Sequence, residues 1–345
     1  MRALQREGIS YNFIFTGQHK DTMDELRTSF RIKEPDITLY NGKDIVSIFA
    51  MVCWSLKILL KTLFNERKIF KDDHKGMVIV HGDTISTLLG ALMGKLARLK
   101  VGHVESGLRS FNLFHPFPEE LTRILTFKLC DYFFCPGEWA VNNLYTYKGK
   151  KISTRVNTLF DSLQWALENL DHLDLALPQE KYCIVSIHRY ENLNIKRKFL
   201  HIINIIESIA HRFKVLFILH PVTERKIHLY GVYHRLTENP HVELHPRCSY
   251  FKFIKLLHRS EFMVTDGGSN QEECSYLGKP CLLLRKATER QEGLGENVCL
   301  SQMEDHIIDD FFDHYTSLST PSFQEEMRPS SIIVSEIKRF QNNTQ

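Results

Sequence analysis

The 345-residue sequence predicts an α/β fold of two doubly wound domains facing each other across a cleft. Three observations predict it. Short apolar runs alternate with helical patterns along most of the chain, and the alternation comes in two series. Ionisable residues also collect just past the apolar runs, where sheets of this kind bind ligands. The length suits two domains, each able to bury its own core.

In the first series NFIFTGQH at 12–19 reads as a strand, and MVIV at 77–80 leads through HGDT into an apolar-periodic helix from Ser86 to Leu99. VGHV at 101–104 follows, then a polar loop, a helix over Glu119–Leu129 and strand-like YFFC at 132–135. The second series runs CIVSI at 183–187, a helix near 197–212, VLFIL at 215–219 and VEL at 242–244. A helix near 250–258, FMVT at 262–265 and CLLL at 281–284 complete it. Buried strands separated by helices imply parallel pairing with helical crossovers. The break falls near Asn157–Pro178, which gives an N-terminal domain at 1–160 and a C-terminal domain at 161–325. A C-terminal helix lies in 326–345, over Ser331–Phe340.

Composition excludes several classes. A net charge of +3 and a pI near 8.3, without a basic stripe interleaved with aromatics, argue against nucleic-acid binding. Met1–Ser10 has no apolar core after its basic residues, so it does not read as a secretory signal. The apolar stretch Ile45–Leu56 is closed by Asp44 and Lys57 and is too short to span a bilayer; it predicts a helix in the core or at a subunit contact. Eight cysteines without a CxxC pair or metal-ligand spacing, including Cys135, Cys183 and Cys281 in apolar runs, read as reduced thiols of a cytoplasmic protein.

The strand ends carry His81-Gly82-Asp83, Glu105, His188-Arg189, His220, Asp266-Gly267-Gly268-Ser269 and Arg285…Arg290. One acid after a strand usually caps the next helix. So many strand ends with ionisable groups favour an active site for an anionic substrate. In TDGGSNQEE (265–273) the glycines bring backbone N–H groups and a helix N-terminus to one place, suited to a diphosphate. Alone it reads equally well as a glycine turn with Asp266 or Ser269 as cap. In PFPEELTR (116–123) Glu119 and Arg123 stand i to i+4, and spacing alone favours a surface salt bridge over an acid held at a cleft edge.

Taken together, HGDT (81–84), GHVESGLRS (102–110), PFPEELTR (116–123), SIHRYEN (186–192), TDGGSNQEE, LGKP (277–280) and ATER (287–290) resemble the non-hydrolysing UDP-N-acetylglucosamine 2-epimerases in order and spacing. The resemblance implies two Rossmann-like domains in the glycosyltransferase-B arrangement, a homodimer, and no cofactor or metal. It implies interconversion of UDP-GlcNAc and UDP-ManNAc by elimination of UDP to a glycal and its re-addition, in the supply of cell-surface polysaccharide precursors. Matched by motif, Asp83, Glu105 and Glu119 correspond to the family's catalytic carboxylates, and Arg123 to the arginine after the third. His188 corresponds to the histidine on the leaving diphosphate and Arg290 to the arginine facing the nucleotide. Gly267, Gly268 and Ser269 fall on the diphosphate loop, and Glu273 on the ribose-binding glutamate.

Four departures stand out. The diphosphate loop reads GGS where the family has SGG, and Thr122 stands where an asparagine is usual. Of the substrate-binding segment tied to allosteric activation, Gln18 and His19 remain in GQHKD, but no partner is recognisable in NGKDIV (41–46), which predicts weak or absent activation. The first strand and its basic loop are missing, since Met1-Arg2-Ala3-Leu4 already reads as the end of the first helix. Loss of a central strand predicts apolar edges exposed on both neighbours, from a misassigned start or a truncation. Two other readings are a same-fold glycosyltransferase or hydrolysing epimerase, against which HVESGLRS and PEE argue, and a family member left without turnover by the missing strand.

Overall fold

The computed structural model describes residues 1–18, 20–42, 45, 48–113, 118–326 and 328–343. The chain divides into two units, Met1–Asp161 with Met327–Gln345, and Ser162–Glu326. The division falls inside a helix, Leu159–Glu168, within the segment that reads as a break in the sequence.

The strands are β1 (Ile14–Phe15), β2 (Ile37–Thr38), β3 (Met77–His81), β4 (Lys100–Val104), β5 (Tyr132–Cys135) and β6 (Lys150–Ser153) in the first unit. The second unit holds β7 (Tyr182–Ser186), β8 (Lys214–Leu219), β9 (Val242–Pro246), β10 (Met263–Thr265), β11 (Cys281–Leu283) and β12 (Val298–Leu300). Every pairing is parallel.

In the second unit the order is β12-β11-β10-β7-β8-β9. Its order reverses between β10 and β7, the switch point where open parallel sheets bind ligands. Thr265 is in register with Ser186 there, so the residues just beyond both strands meet. The core around this sheet is apolar and aromatic: Phe199, Phe217, Phe262 and Phe311 are at most 2% exposed, and each such side chain contributes ~1.5–3 kcal/mol. Phe262 packs edge-on against Phe213 at 5.1 Å between centroids.

In the first unit the strands form two sheets, β1-β2 and β3-β4-β5-β6. Exposure at the gap is one-sided. Ile79 on β3 is 38% exposed, whereas Phe13 and Phe15 at β1 are buried. Ile14 of β1 packs on a cluster that holds Trp54 and Ile58 of the helix Ile48–Phe70 with Leu89. That helix turns Trp54, Ile58, Thr62 and Ile69 inward and leaves Phe49, Val52, Leu56, Leu60, Leu63 and Phe64 exposed. Of the stretch read as core or contact, Ile45 and Trp54 are buried, whereas Phe49, Val52 and Leu56 are exposed. The C-terminal helix, Pro329–Asn342, belongs to the first unit: Ile333 and Ile337 bury against Val104 and Phe134, and Lys150 on β6 donates to Glu336 at 2.5 Å. The sequence KKIS of β6 hides its strand because an edge strand needs few apolar residues.

Among the described residues no helix is long and apolar enough to cross a membrane, and no group of His, Cys, Asp and Glu is arranged to hold a metal ion.

Candidate functional site

The side chains singled out from the sequence form two clusters, one in each unit. In the first, β3 and β4 run in register up to His81 and Val104, so the turns beyond them stand side by side. His103 ties these turns together. Its Nε2 lies 2.7 Å from the Gly82 carbonyl, where it must donate, which leaves Nδ1 to accept from Ser106 Oγ at 3.0 Å. Burial pulls its pKa down to about 4, so the ring is neutral.

Glu105 follows β4 with φ at +63°, in the left-handed region. That conformation costs a non-glycine residue ~1–3 kcal/mol and persists only where the surroundings impose it. Here the Ser106 amide donates to the Phe134 carbonyl at 3.0 Å and Asn143 Nδ2 to the Gly107 carbonyl at 2.9 Å. Gly107 itself has φ +92°, and a Cβ there would lie 2.2 Å from the Ala140 carbonyl oxygen. The turn brings Glu105 Oε1 to Asn157 Nδ2 at 3.1 Å and Oε2 to 3.8 Å from His81 Nε2.

Glu119 and Glu120 open the helix Glu119–Leu129, where negative charge suits the positive helix end. The expected surface pair of Glu119 with Arg123 does not form. Arg123 is 3% exposed and its Nη2 donates to Asp83 Oδ2 at 2.6 Å, while its Nη1 lies 3.5 Å from Glu120 Oε2. The helix turns Arg123 inward, where its charge is met by Asp83 and by the fully buried Glu120. Glu119 Oε2 is buried and finds no hydrogen-bond partner among the described residues. Gln18 accepts from Ser86 Oγ at 2.6 Å, at the start of the helix Ile85–Leu96. His19 lies outside the described residues.

The second cluster sits at the switch point of the other sheet. Asp266, fully buried, accepts from the amides of His188 at 2.9 Å and Arg189 at 3.0 Å and from Asn192 Nδ2 at 3.0 Å. It therefore shapes the loop after β7 and is not the cap of its own helix. That helix, Gly268–Leu277, starts one residue before the expected Ser269, which is exposed, and is capped by Gly267. The two glycines are required by what crosses them. A Cβ on Gly267 would lie 2.9 Å from His188 Cε1, and one on Gly268 would lie 2.7 Å from Arg290 Nε. An imidazole and a guanidinium thus lie over a helix N-terminus, the combination that holds an anion.

Arg290 is held from behind by the fully buried Glu272, and its backbone carbonyl accepts from Gln271 Nε2 at 3.3 Å. Arg189 faces Glu289 at 3.5 Å, and Glu289 also accepts from Arg285 at 3.0 Å. One turn into the helix, Glu273 is buried, and burial pushes its carboxyl up to about 7 despite hydrogen bonds from Asn270 at 3.0 Å and from Tyr250. The Tyr250 hydroxyl is pushed far above its usual value by its own burial and by this glutamate.

Residues 2–329 match the sequence pattern of the UDP-N-acetylglucosamine 2-epimerase family. The chain belongs to that family. Similar proteins include the UDP-N-acetylglucosamine 2-epimerase of Neisseria meningitidis, 30% identical over 92% of this chain and 86% of that protein. The UDP-2,3-diacetamido-2,3-dideoxy-D-glucuronate 2-epimerase of Pseudomonas aeruginosa is 31% identical over 89% of this chain and 84% of that one. The crystal structure of the Neisseria meningitidis UDP-GlcNAc 2-epimerase bound to UDP-GlcNAc superposes with a TM-score of 0.82 at 28% identity, covering 98% of this chain and 94% of that chain. The fold is accordingly that of the epimerase family, α/β with parallel sheets in two Rossmann-like units.

For this epimerase the motifs show which residues stand at the strand ends but not how they are wired. Glu120 lies inside PEE, and Asp266 reads from sequence as a cap; the structure gives both buried bonding roles across motifs. Tyr250, bonded to Glu273, carries no local signal, because the two residues stand on separate helices.

Proposed function

We propose that this epimerase interconverts UDP-GlcNAc and UDP-ManNAc by removing the C2 proton and breaking the C1–O bond to UDP. A glycal forms, a proton is delivered to C2 from the other face, and the diphosphate oxygen adds back to C1. The C2 proton is not next to a carbonyl, so the reaction needs placed acid/base groups and cationic support for the departing diphosphate.

In this reading Asp83, Glu105 and Glu119 do the proton chemistry with Arg123 beside Asp83. His188, Arg290 and the Gly267-Gly268-Ser269 turn take the diphosphate, and Glu273 takes the ribose. The observation that carries the reading is the approach of His188 and Arg290 to two glycines at a helix N-terminus, so close that a side chain on either glycine would displace them. The unpartnered buried oxygen of Glu119 and the imposed left-handed turn at Glu105 support the acid/base assignment. The GGS order keeps the backbone amides, and it puts the serine at an exposed position of the turn.

The reaction is placed in the cytoplasm, a setting supported by eight free cysteines, and supplies surface polysaccharide precursors. The exposed face Phe49, Val52, Leu56, Leu60, Leu63 and Phe64 is the proposed homodimer contact. Gln18, bonded to Ser86 rather than waiting for a ligand, supports hyperbolic kinetics without substrate activation. Incubation with UDP-GlcNAc followed by product separation tests the reading. UDP-ManNAc approaching an equilibrium mixture is expected; free ManNAc with stoichiometric UDP would mean hydrolysis, and no product would mean no epimerase activity.

A further inference from the structure

Glu120 has no part in the chemistry proposed above, yet it is the most enclosed charge in the first unit's cluster, at 0% exposure. Its Oε1 accepts from Arg109 Nε at 2.5 Å. Its Oε2 accepts from the Ser110 amide at 3.0 Å and lies 3.5 Å from Arg123 Nη1. Burial alone would push its carboxyl up, but the Arg109 hydrogen bond, the Ser110 amide and the two guanidinium charges outweigh it and hold the group below the usual range. Glu120 is therefore a fixed anion joined to three segments. It grips both ends of the Arg109-Ser110 turn that closes the loop from Glu105, sits in the same first helical turn as Glu119, and faces the arginine whose other arm bonds Asp83 at 2.6 Å.

A buried carboxylate could serve folding alone. The wiring argues for more. Arg123 meets one carboxylate on each arm, so the Glu120 charge decides where the guanidinium rests and hence how tightly Asp83 is held. We infer that Glu120 is a positioning residue of the epimerase reaction: it sets the Arg123 guanidinium against Asp83 and pins the loop that carries Glu105. The inference rests on the function proposed above.

The test is Glu120→Gln, which keeps the shape and removes the charge, read by kcat, KM and UDP affinity. Misplacing a reacting group by about 1 Å costs about 100-fold in rate. The expected result is a folded protein with kcat down about 100-fold, KM and the Kd for UDP within about twofold, and an Asp83→Asn/Glu120→Gln double variant no slower than Asp83→Asn alone. A folded Glu120→Gln protein with wild-type kcat overturns the inference, and so does a double variant whose losses multiply. If Glu120→Gln does not fold, Arg109→Gln carries the test: a similar fall in kcat at constant KM is expected, and wild-type kcat overturns it. If the wild-type protein itself lacks turnover, the proposed function fails separately. Positioning is then read from the Arg123 side-chain N–H resonance, slow to exchange in wild type and fast in Glu120→Gln; identical exchange overturns it.

Discussion

Replacing Asp266 by asparagine removes one charge and almost no volume, at a site where the carboxylate accepts three hydrogen bonds. Oδ1 takes the His188 amide at 2.9 Å, and Oδ2 takes the Arg189 amide and Asn192 Nδ2, both at 3.0 Å. An asparagine has one accepting atom. Whichever way its amide is turned, an NH2 group faces at least one N–H donor in a fully buried site. A charge-assisted hydrogen bond contributes ~1.5–3 kcal/mol, and an unpaired buried donor costs a similar amount. We therefore expect the loop after β7 to lose ~3 kcal/mol of local stability, which is ~100-fold in its opening equilibrium. The assay is amide hydrogen exchange at His188 and Arg189, paired with calorimetric UDP binding. Protection should fall ~100-fold and affinity for UDP should drop, while the first unit's amides stay protected. A folded Asp266→Asn protein with unchanged protection at both amides and unchanged affinity would refute the reasoning.

Three further predictions follow from the same geometry. Gly268→Ala drives a methyl into Arg290, 2.7 Å away at Nε, and should weaken UDP binding by ~10–100-fold by displacing a charge-assisted contact, as measured by calorimetry on a protein with a wild-type circular dichroism spectrum. Burial raises the Glu273 carboxyl from 4.5 to about 7, so the fold favours its neutral form. That contribution, about 3 kcal/mol, is fully present below pH 4.5 and lost as pH rises to about 7. Calorimetric melting from pH 5 to 8 should fall more steeply for wild type than for Glu273→Gln, and parallel curves would contradict it. Leu56→Glu, in the middle of the exposed apolar face, should convert a dimer to a monomer in analytical ultracentrifugation without loss of helical signal; a variant still dimeric would exclude that face as the contact.

Much of the framework was legible before any coordinates. The strands at 182–186 and 214–219 stand in apolar runs, because a strand buried on both faces needs apolar side chains nearly throughout. Two edge strands did not announce themselves. Lys150–Ser153 is half lysine, and Val298–Leu300 is three residues long. NFIFTGQH shrank to Ile14–Phe15 because only those two residues pair, with Ile37 and Thr38. In the clusters, sequence gave the residue types and their order along the chain. It could not give the partners: that Arg123 turns to Asp83 instead of Glu119 depends on which face of the helix is buried, and Asp266 serves His188 only because β10 lies beside β7.

The measurement that bears most directly on the account is the fate of the C2 proton. With UDP-GlcNAc in deuterium oxide, followed by NMR, the wild-type protein should place deuterium at C2 as UDP-ManNAc appears. Glu119→Gln should bind UDP normally and slow that exchange by ~100–10,000-fold, the usual loss for a general acid or base. Epimerisation that leaves hydrogen at C2, or a Glu119→Gln protein that exchanges at the wild-type rate, would contradict the assignment of this cluster to proton transfer at C2.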